Sequence, residues 1–166
     1  MAQFKEIKAT ELAGNPFKLI GEDWMLIAAG SEEKFNMMTA SWGGLGVMWG
    51  RNVAFIVVRP TRFTKEFIDA GSYFSLSFFG GAFKKELTFC GRNSGRNVDK
   101  LGGTGFTAAF DKAPYFEEAK TVLICKKLFA QPYEEASILD ASVFKEYPLK
   151  DYHTLYIAEI EKVLVK

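Results

Sequence analysis

Residues 35–44 read FNMMTASWGG, and how this stretch is parsed decides the fold. As a strand it alternates faces, so Met37, Thr39 and Ser41 share one side while Asn36, Met38, Ala40 and Trp42 share the other. An amide, two hydroxyls and an indole then lie between positions 36 and 42 of an otherwise apolar neighbourhood. Thr and Ser are also at home on a solvated strand face, so the stretch alone allows a plain surface strand as well as a ligand-facing one. The glycines that follow can lift the strand end off its sheet and bare backbone amides to a ligand.

Outward from this stretch, five further segments are apolar or alternating and rich in Val, Ile, Phe and Tyr: WMLIAA (24–29), VAFIVV (53–58), SYFSLSFF (72–79), TVLICKKLFA (121–130) and HTLYIAEIEKVLV (153–165). Six or seven strands are expected. A short helix is predicted over Lys65 to Ala70, with Thr64 as N-cap hydroxyl and Gly71 as a left-handed stop. A second, AFKKELTFC (82–90), puts Phe83, Leu87 and Cys90 on one apolar stripe and is expected to stop at Gly91. Residues Ser137 to Ser142 suit a short helix or a turn equally, and GGLGVMWG and GGTGF read as loops. Strands dominate and helices are inserted between some of them, which predicts a mainly antiparallel barrel or sheet rather than βαβ units.

The chain of 166 residues fits one domain, 1–166, and its 48% hydrophobic share with sixteen phenylalanines supplies a core without staples. A net charge of +1 leaves no broad positive face, so nucleic-acid binding is not expected and any anion site must be local. Cys90 and Cys125 are too far apart for a CxxC pair and only one histidine exists, which predicts free buried thiols and no metal site. The N-terminal residues MAQFKEIKATEL lack the apolar core of a signal peptide and no run is long enough for a membrane span, so cytoplasmic residence without membrane contact is the expectation.

Two more polar clusters accompany NMMTASW. Arg59 and Arg62 bracket a turn just before Thr64 and the first helix, where guanidinium forks and helix-start amides favour a phosphate; both arginines could instead pair with Glu66 or Asp69. CGRNSGRNVDK (90–100) combines Ser94, Gly95 and Arg96 with Lys100, and fits a phosphate wrap or a solvated turn around Asp99. Gly44, Gly46 and Gly50 miss the dinucleotide fingerprint by one residue and lead into a strand, which excludes a Rossmann unit. No GxSxG, no HExxH and no adjacent Cys/His pair supplies a nucleophile, and the lone His153 precedes the last strand.

The ordered series NMMTASW, RPTRFTKEFIDAG, FSLSFF, CGRNSGRNVDK, IC and YHTLYIAEI, running from about Trp24 to Glu161, resembles the flavin reductase-like family. In particular it looks like the flavoredoxin-like members of the FMN-binding split-barrel proteins. The resemblance implies a split β-barrel with Greek-key connections, a homodimer and FMN near the subunit interface. It implies that Asn36, Thr39, Ala40, Ser41 and Trp42 line the flavin, that Arg59, Arg62 and Thr64 grip the phosphate and ribityl chain, and that Ser94, Gly95, Arg96 and Lys100 close over the phosphate end. Relatives carry a histidine where this chain has His153, which implies a role in binding the reductant; Asp151 and Tyr152 stand where many have a Gly-Asp pair. Trp42 fits a core aromatic or a flavin cover alike.

An FMN oxidoreductase needs mainly to align two rings and tune the flavin, which suits a chain without a nucleophile. The expected function is electron transfer from NAD(P)H or a protein donor to free flavin or a protein acceptor. The alternatives are a non-catalytic binder of flavin or another phosphorylated ligand, and a pyridoxamine-phosphate oxidase-like enzyme on the same architecture.

Overall fold

A computed structural model describes residues 3–166. In chain order the strands are β1 (Lys5–Ile7), β2 (Met25–Gly30), β3 (Phe35–Ala40), β4 (Gly43–Met48), β5 (Arg51–Val58), β6 (Tyr73–Phe78), β7 (Ala108–Phe110), β8 (Pro114–Phe116), β9 (Thr121–Pro132) and β10 (Thr154–Val165). Helices α1 (Thr64–Ala70), α2 (Lys84–Arg92) and α3 (Lys100–Thr104) are inserted among them.

Seven strands form one antiparallel path, β3-β2-β6-β9-β10-β5-β4, with β1 added on β10 and β7 paired with β8 apart. The two ends of this path are consecutive in sequence, joined only by Ser41 and Trp42. Three residue steps reach about 11 Å at most, so the sheet must curl until its edges nearly meet. The result is a split barrel, with an unpaired seam between β3 and β4. Consecutive strands β5 and β6 are separated in the sheet by β10 and β9, and the link through α1 makes the Greek-key crossing.

The apolar run WMLIAA follows from burial on both faces of the sheet. Met25, Ile27 and Ala29 point into the barrel with Met38, Ile56, Phe74, Leu76 and Tyr156, while Leu26 and Ala28 point outward beneath Leu87 and Cys90 of α2 and Phe116 of β8. β9 and β10 are twelve residues each because each serves two neighbours. The Thr121–Lys126 part of β9 pairs with β6, the Thr154–Glu159 part of β10 pairs with β5, and bulges near Ile157 and Ile160 let the pair bend round the barrel.

All six expected strands form, and both cysteines are buried free thiols. Several local expectations fail. GGLGVM is strand β4 and not a loop, since its glycines lie flat against Phe55 of β5. GGTGF contributes to α3, capped by the Asp99 carboxylate accepting from the Gly102 amide at 3.0 Å. Thr64 does not cap α1: Phe63 holds the cap position, and the Thr64 hydroxyl instead accepts from Asn36 Nδ2 at 2.8 Å. Gly71 is extended rather than left-handed, and α2 runs through Gly91 to Arg92. The Ser137 to Ser142 segment carries the edges of two 3₁₀ turns, Glu135–Ser137 and Ala141–Glu146.

Candidate functional site

The seam brings three of the polar stretches together. β3 ends at Ala40 because the chain must leave the first edge of the sheet and join the last within two residues. Gly43 makes this possible: its φ is +149°, and a Cβ there would meet the Phe55 carbonyl oxygen at 2.4 Å. Around the crossing, residues 38–42, Val57, Arg59, Arg62 and His153 enclose a cavity of about 170 Å³. Trp42 is 44% exposed and tilts over His153 with ring centroids 5.2 Å apart, so it is a cavity wall and not a core aromatic.

A second cavity of about 200 Å³ adjoins the first and shares Met38 and Arg62 with it. Its other walls are Thr61, Phe63 and Thr64 from the turn into α1, Arg92, Asn93 and Ser94 from the end of α2, and Lys100. The Arg62 guanidinium donates to the Gly91 carbonyl at 2.7 Å. Lys100, only 6% exposed, donates to the carbonyls of Met37 and Cys90, both at 2.8 Å. Among the described residues neither cation, nor Arg92, has a carboxylate partner. Burial and the neighbouring Arg59 pull the Arg62 pKa down, and burial pulls that of Lys100 down. Three cationic side chains thus face one cavity without a carboxylate among them, an arrangement electrostatically suited to an anionic ligand.

The other expected residues have different positions. Arg59 lines the first cavity but is committed to the loop before β10: it pairs with Asp151 at 2.9 Å, donates to the Glu146 carbonyl at 2.8 Å and lies over the Tyr147 ring at 4.9 Å. Asn36, Gly95 and Arg96 lie outside the walls of both cavities. Asn36 is a buried brace between β3 and α1, and the chain at Gly95 passes so close to it that a Cβ would meet Asn36 Oδ1 at 2.1 Å. Arg96 pairs with Glu66 and lies over Phe63. Thr39 donates its hydroxyl to the Leu87 carbonyl at 2.5 Å, tying β3 to α2 while still lining the first cavity. The amides expected to be free at the start of α1 are in part engaged, since those of Lys65 and Glu66 donate to the carbonyls of Arg62 and Phe63.

His153 is 7% exposed and its Nδ1 lies 2.7 Å from the Tyr147 hydroxyl. Burial, followed by the Arg59 charge, lowers its pKa to about 4, so the imidazole is neutral at pH 7. Tyr147, Val57, Arg92 and Asn93 escape a sequence reading. Tyr147 sits in EYPLK with no motif around it, while Arg92 and Asn93 belong to the CGRNSGRNVDK stretch and could have been taken with it. Among the described residues no group of three metal-ligating side chains assembles.

A mainly antiparallel barrel open along one seam is the architecture of the split-barrel flavin reductase-like domains. A family model of the flavin reductase like domain matches residues 18–166, and the chain belongs to that family. Its fold is similar to that of a flavoredoxin from Methanosarcina acetivorans, with 24% identity, 87% of this chain and 68% of that one covered, and a TM-score of 0.65. An FMN-binding domain of a flavin reductases-like enzyme from Shewanella baltica OS155 matches at 19% identity over 98% and 77% of the two chains, with a TM-score of 0.69. An NADH:FAD oxidoreductase from Streptomyces globisporus matches at 16% identity over 87% and 74%, with a TM-score of 0.64. Comparison with curated protein sequences finds no match.

Proposed function

We propose that the protein binds FMN across the two cavities and passes electrons from NAD(P)H or a protein donor to free flavin or a protein acceptor. The observation that carries this reading is the positive charge of half-buried Arg62 and buried Lys100, without a carboxylate partner among the described residues, beside a cavity walled by Trp42 and His153. A phosphate monoester would balance these charges, with the ribityl chain running past Met38 and the ring in the first cavity. The chemistry FMN brings when bound is one- and two-electron transfer. The chain's part is to hold and orient: Arg62, Arg92, Thr61 and Ser94 at the phosphate, the segment Thr39 to Trp42 along the ring, and Arg59 on the loop that carries Tyr147 and His153.

A homodimer is part of the proposal, with a second copy of the chain set against the seam beside β4. Val47 and Trp49, on and just beyond β4, are 71% and 58% exposed and offer an apolar surface for such a homodimer. No helix of the described residues is long and apolar enough to cross a membrane, and cytoplasmic residence is part of the proposal. His153, as a neutral imidazole fixed by Tyr147, is assigned to the reductant.

Anaerobic titration of the purified protein with FMN and then NADH or NADPH, followed in the visible spectrum, tests the reading. Saturable yellow binding followed by bleaching is expected. Binding without bleaching by either nicotinamide or a reduced redox protein supports the non-catalytic binder, and no FMN binding removes the proposal.

A further inference from the structure

Tyr147 follows the Ala141–Glu146 turn in the loop before β10, and its hydroxyl meets His153 Nδ1 at 2.7 Å. At that distance the ring atom must be nitrogen, since a ring carbon so close would overlap the oxygen. The phenol is only 5% exposed and burial raises its pKa above the ordinary value, so it keeps its proton. Among the described residues that proton has no acceptor other than Nδ1. A phenol that donates to Nδ1 leaves no room for a second hydrogen there, so the neutral imidazole must carry its own on Nε2.

The opposite edge of the ring is open. Nε2 has no hydrogen-bond partner among the described residues, yet it is not enclosed, since among them the one unpartnered side-chain N or O that is fully enclosed is Ser77 Oγ. His153 lines the cavity beside Thr39 to Trp42, and that cavity is the space Nε2 opens onto. The ring is clamped in this orientation. Trp42 tilts over it at 5.2 Å and Tyr133 and Tyr147 meet it edge to face at 6.4 and 5.5 Å, while Arg59 secures the loop through Asp151 and the Tyr147 ring.

We propose that Tyr147 is a positioning residue that fixes His153 as the Nε2–H tautomer, so that the cavity presents one neutral hydrogen-bond donor and takes a ligand carbonyl oxygen there. The inference rests on the flavin and reductant reading of this cavity and adds to it the residue that sets where the imidazole proton sits. A ligand group that can only donate, such as an ammonium, meets a second donor and is refused. Within that reading two groups offer the acceptor: the carboxamide of a reduced nicotinamide and the pyrimidine edge of the flavin.

His153 is the only histidine of the chain, so nitrogen NMR of histidine-labelled protein reports this imidazole alone. Without any ligand, at pH 7, Nε2 should carry the proton and Nδ1 should show the shift of a nitrogen accepting a hydrogen bond. Tyr147→Phe should abolish that shift and let the two tautomers exchange. A proton found on Nδ1 of the unsubstituted protein overturns the proposal. The ligand side is read on the flavin-loaded protein with a reduced nicotinamide carboxamide and its thioamide analogue, whose sulfur is a weak acceptor. If the carboxamide is the partner, Tyr147→Phe should shrink the ratio of their kcat/KM values about five- to tenfold, the scale of one hydrogen bond. If the flavin is the partner, the Kd for FMN should rise by that factor instead. Both quantities unchanged, with the Nδ1 shift lost, overturn the role in ligand recognition. Failure of the unsubstituted protein to bind FMN removes that role together with the flavin reading, and the ligand-free spectrum still decides the tautomer by itself.

Discussion

Arg62→Leu separates a ligand-holding charge from a structural one. In the folded chain this guanidinium has one protein acceptor, the Gly91 carbonyl at 2.7 Å, and no carboxylate among the described residues. Losing that hydrogen bond costs about 1–2 kcal/mol. Removing a half-buried positive charge that is repelled by Arg59 returns a similar amount, because burial and Arg59 both disfavour the charged form. The ligand-free protein is therefore expected to change in stability by less than about 1 kcal/mol, a shift in Tm within about 4 °C for a domain of this size. The bound phosphate, by contrast, loses a charge-assisted contact about 4 Å away, worth up to about 4 kcal/mol at an effective dielectric of 20. Allowing for water taking its place, FMN affinity should fall about 100-fold, or about 2.7 kcal/mol. Thermal unfolding without ligand and flavin titration of the same sample give both numbers. A large drop in Tm with FMN affinity intact would refute the reasoning, since Arg62 would then be a brace.

Two further substitutions test other parts of the site. His153 titrates at about 4 in the fold against 6.5 outside it, so the unfolded chain binds the extra proton first and stability must fall as pH drops from 6.5 toward 4. The loss should be up to about 1 kcal/mol per pH unit after solvent screening; urea midpoints across this window should show a flatter profile for His153→Ala, which should also keep FMN and lose reductant-dependent bleaching. Gly43→Ala puts a Cβ 2.4 Å from the Phe55 carbonyl at a φ of +149°. It should destabilise the fold by about 2 kcal/mol or more and widen the seam, read as a lower Tm together with weaker flavin binding; a neutral effect on both would mean the crossing tolerates a side chain.

The barrel was largely legible because its strands are long and apolar on both faces. WMLIAA has no polar alternation to misread once both surfaces are covered. β4 was not legible, since GGLG has the composition of a turn and becomes a strand only because Gly44 and Gly46 let Phe55 of β5 lie across them. The site was legible as three polar stretches but not in its division of labour. Lys100 looks like a surface phosphate ligand in sequence, yet it is buried with two carbonyls as acceptors. Arg59 looks equivalent to Arg62, yet one secures a loop and the other faces the cavities. Thr64 looks like a helix cap, and its hydroxyl turns inward to Asn36, twenty-eight positions away. Each distinction depends on which distant backbone happens to pass nearby, and local pattern does not record that.

The place of β10 in the sheet, between β9 and β5, has a consequence for when a cofactor can first be captured. The β4-β5 pair carries one wall of the crossing and Arg59 follows it, yet within the sheet this pair reaches the remaining strands only across β10. As the polypeptide leaves the ribosome, the ribbon that will hold Trp42 against His153 stays unmoored until the final strand threads into its slot. Capture of a flavin thus waits on β10, and a nascent chain stalled before Thr154 should emerge colourless however much FMN surrounds it.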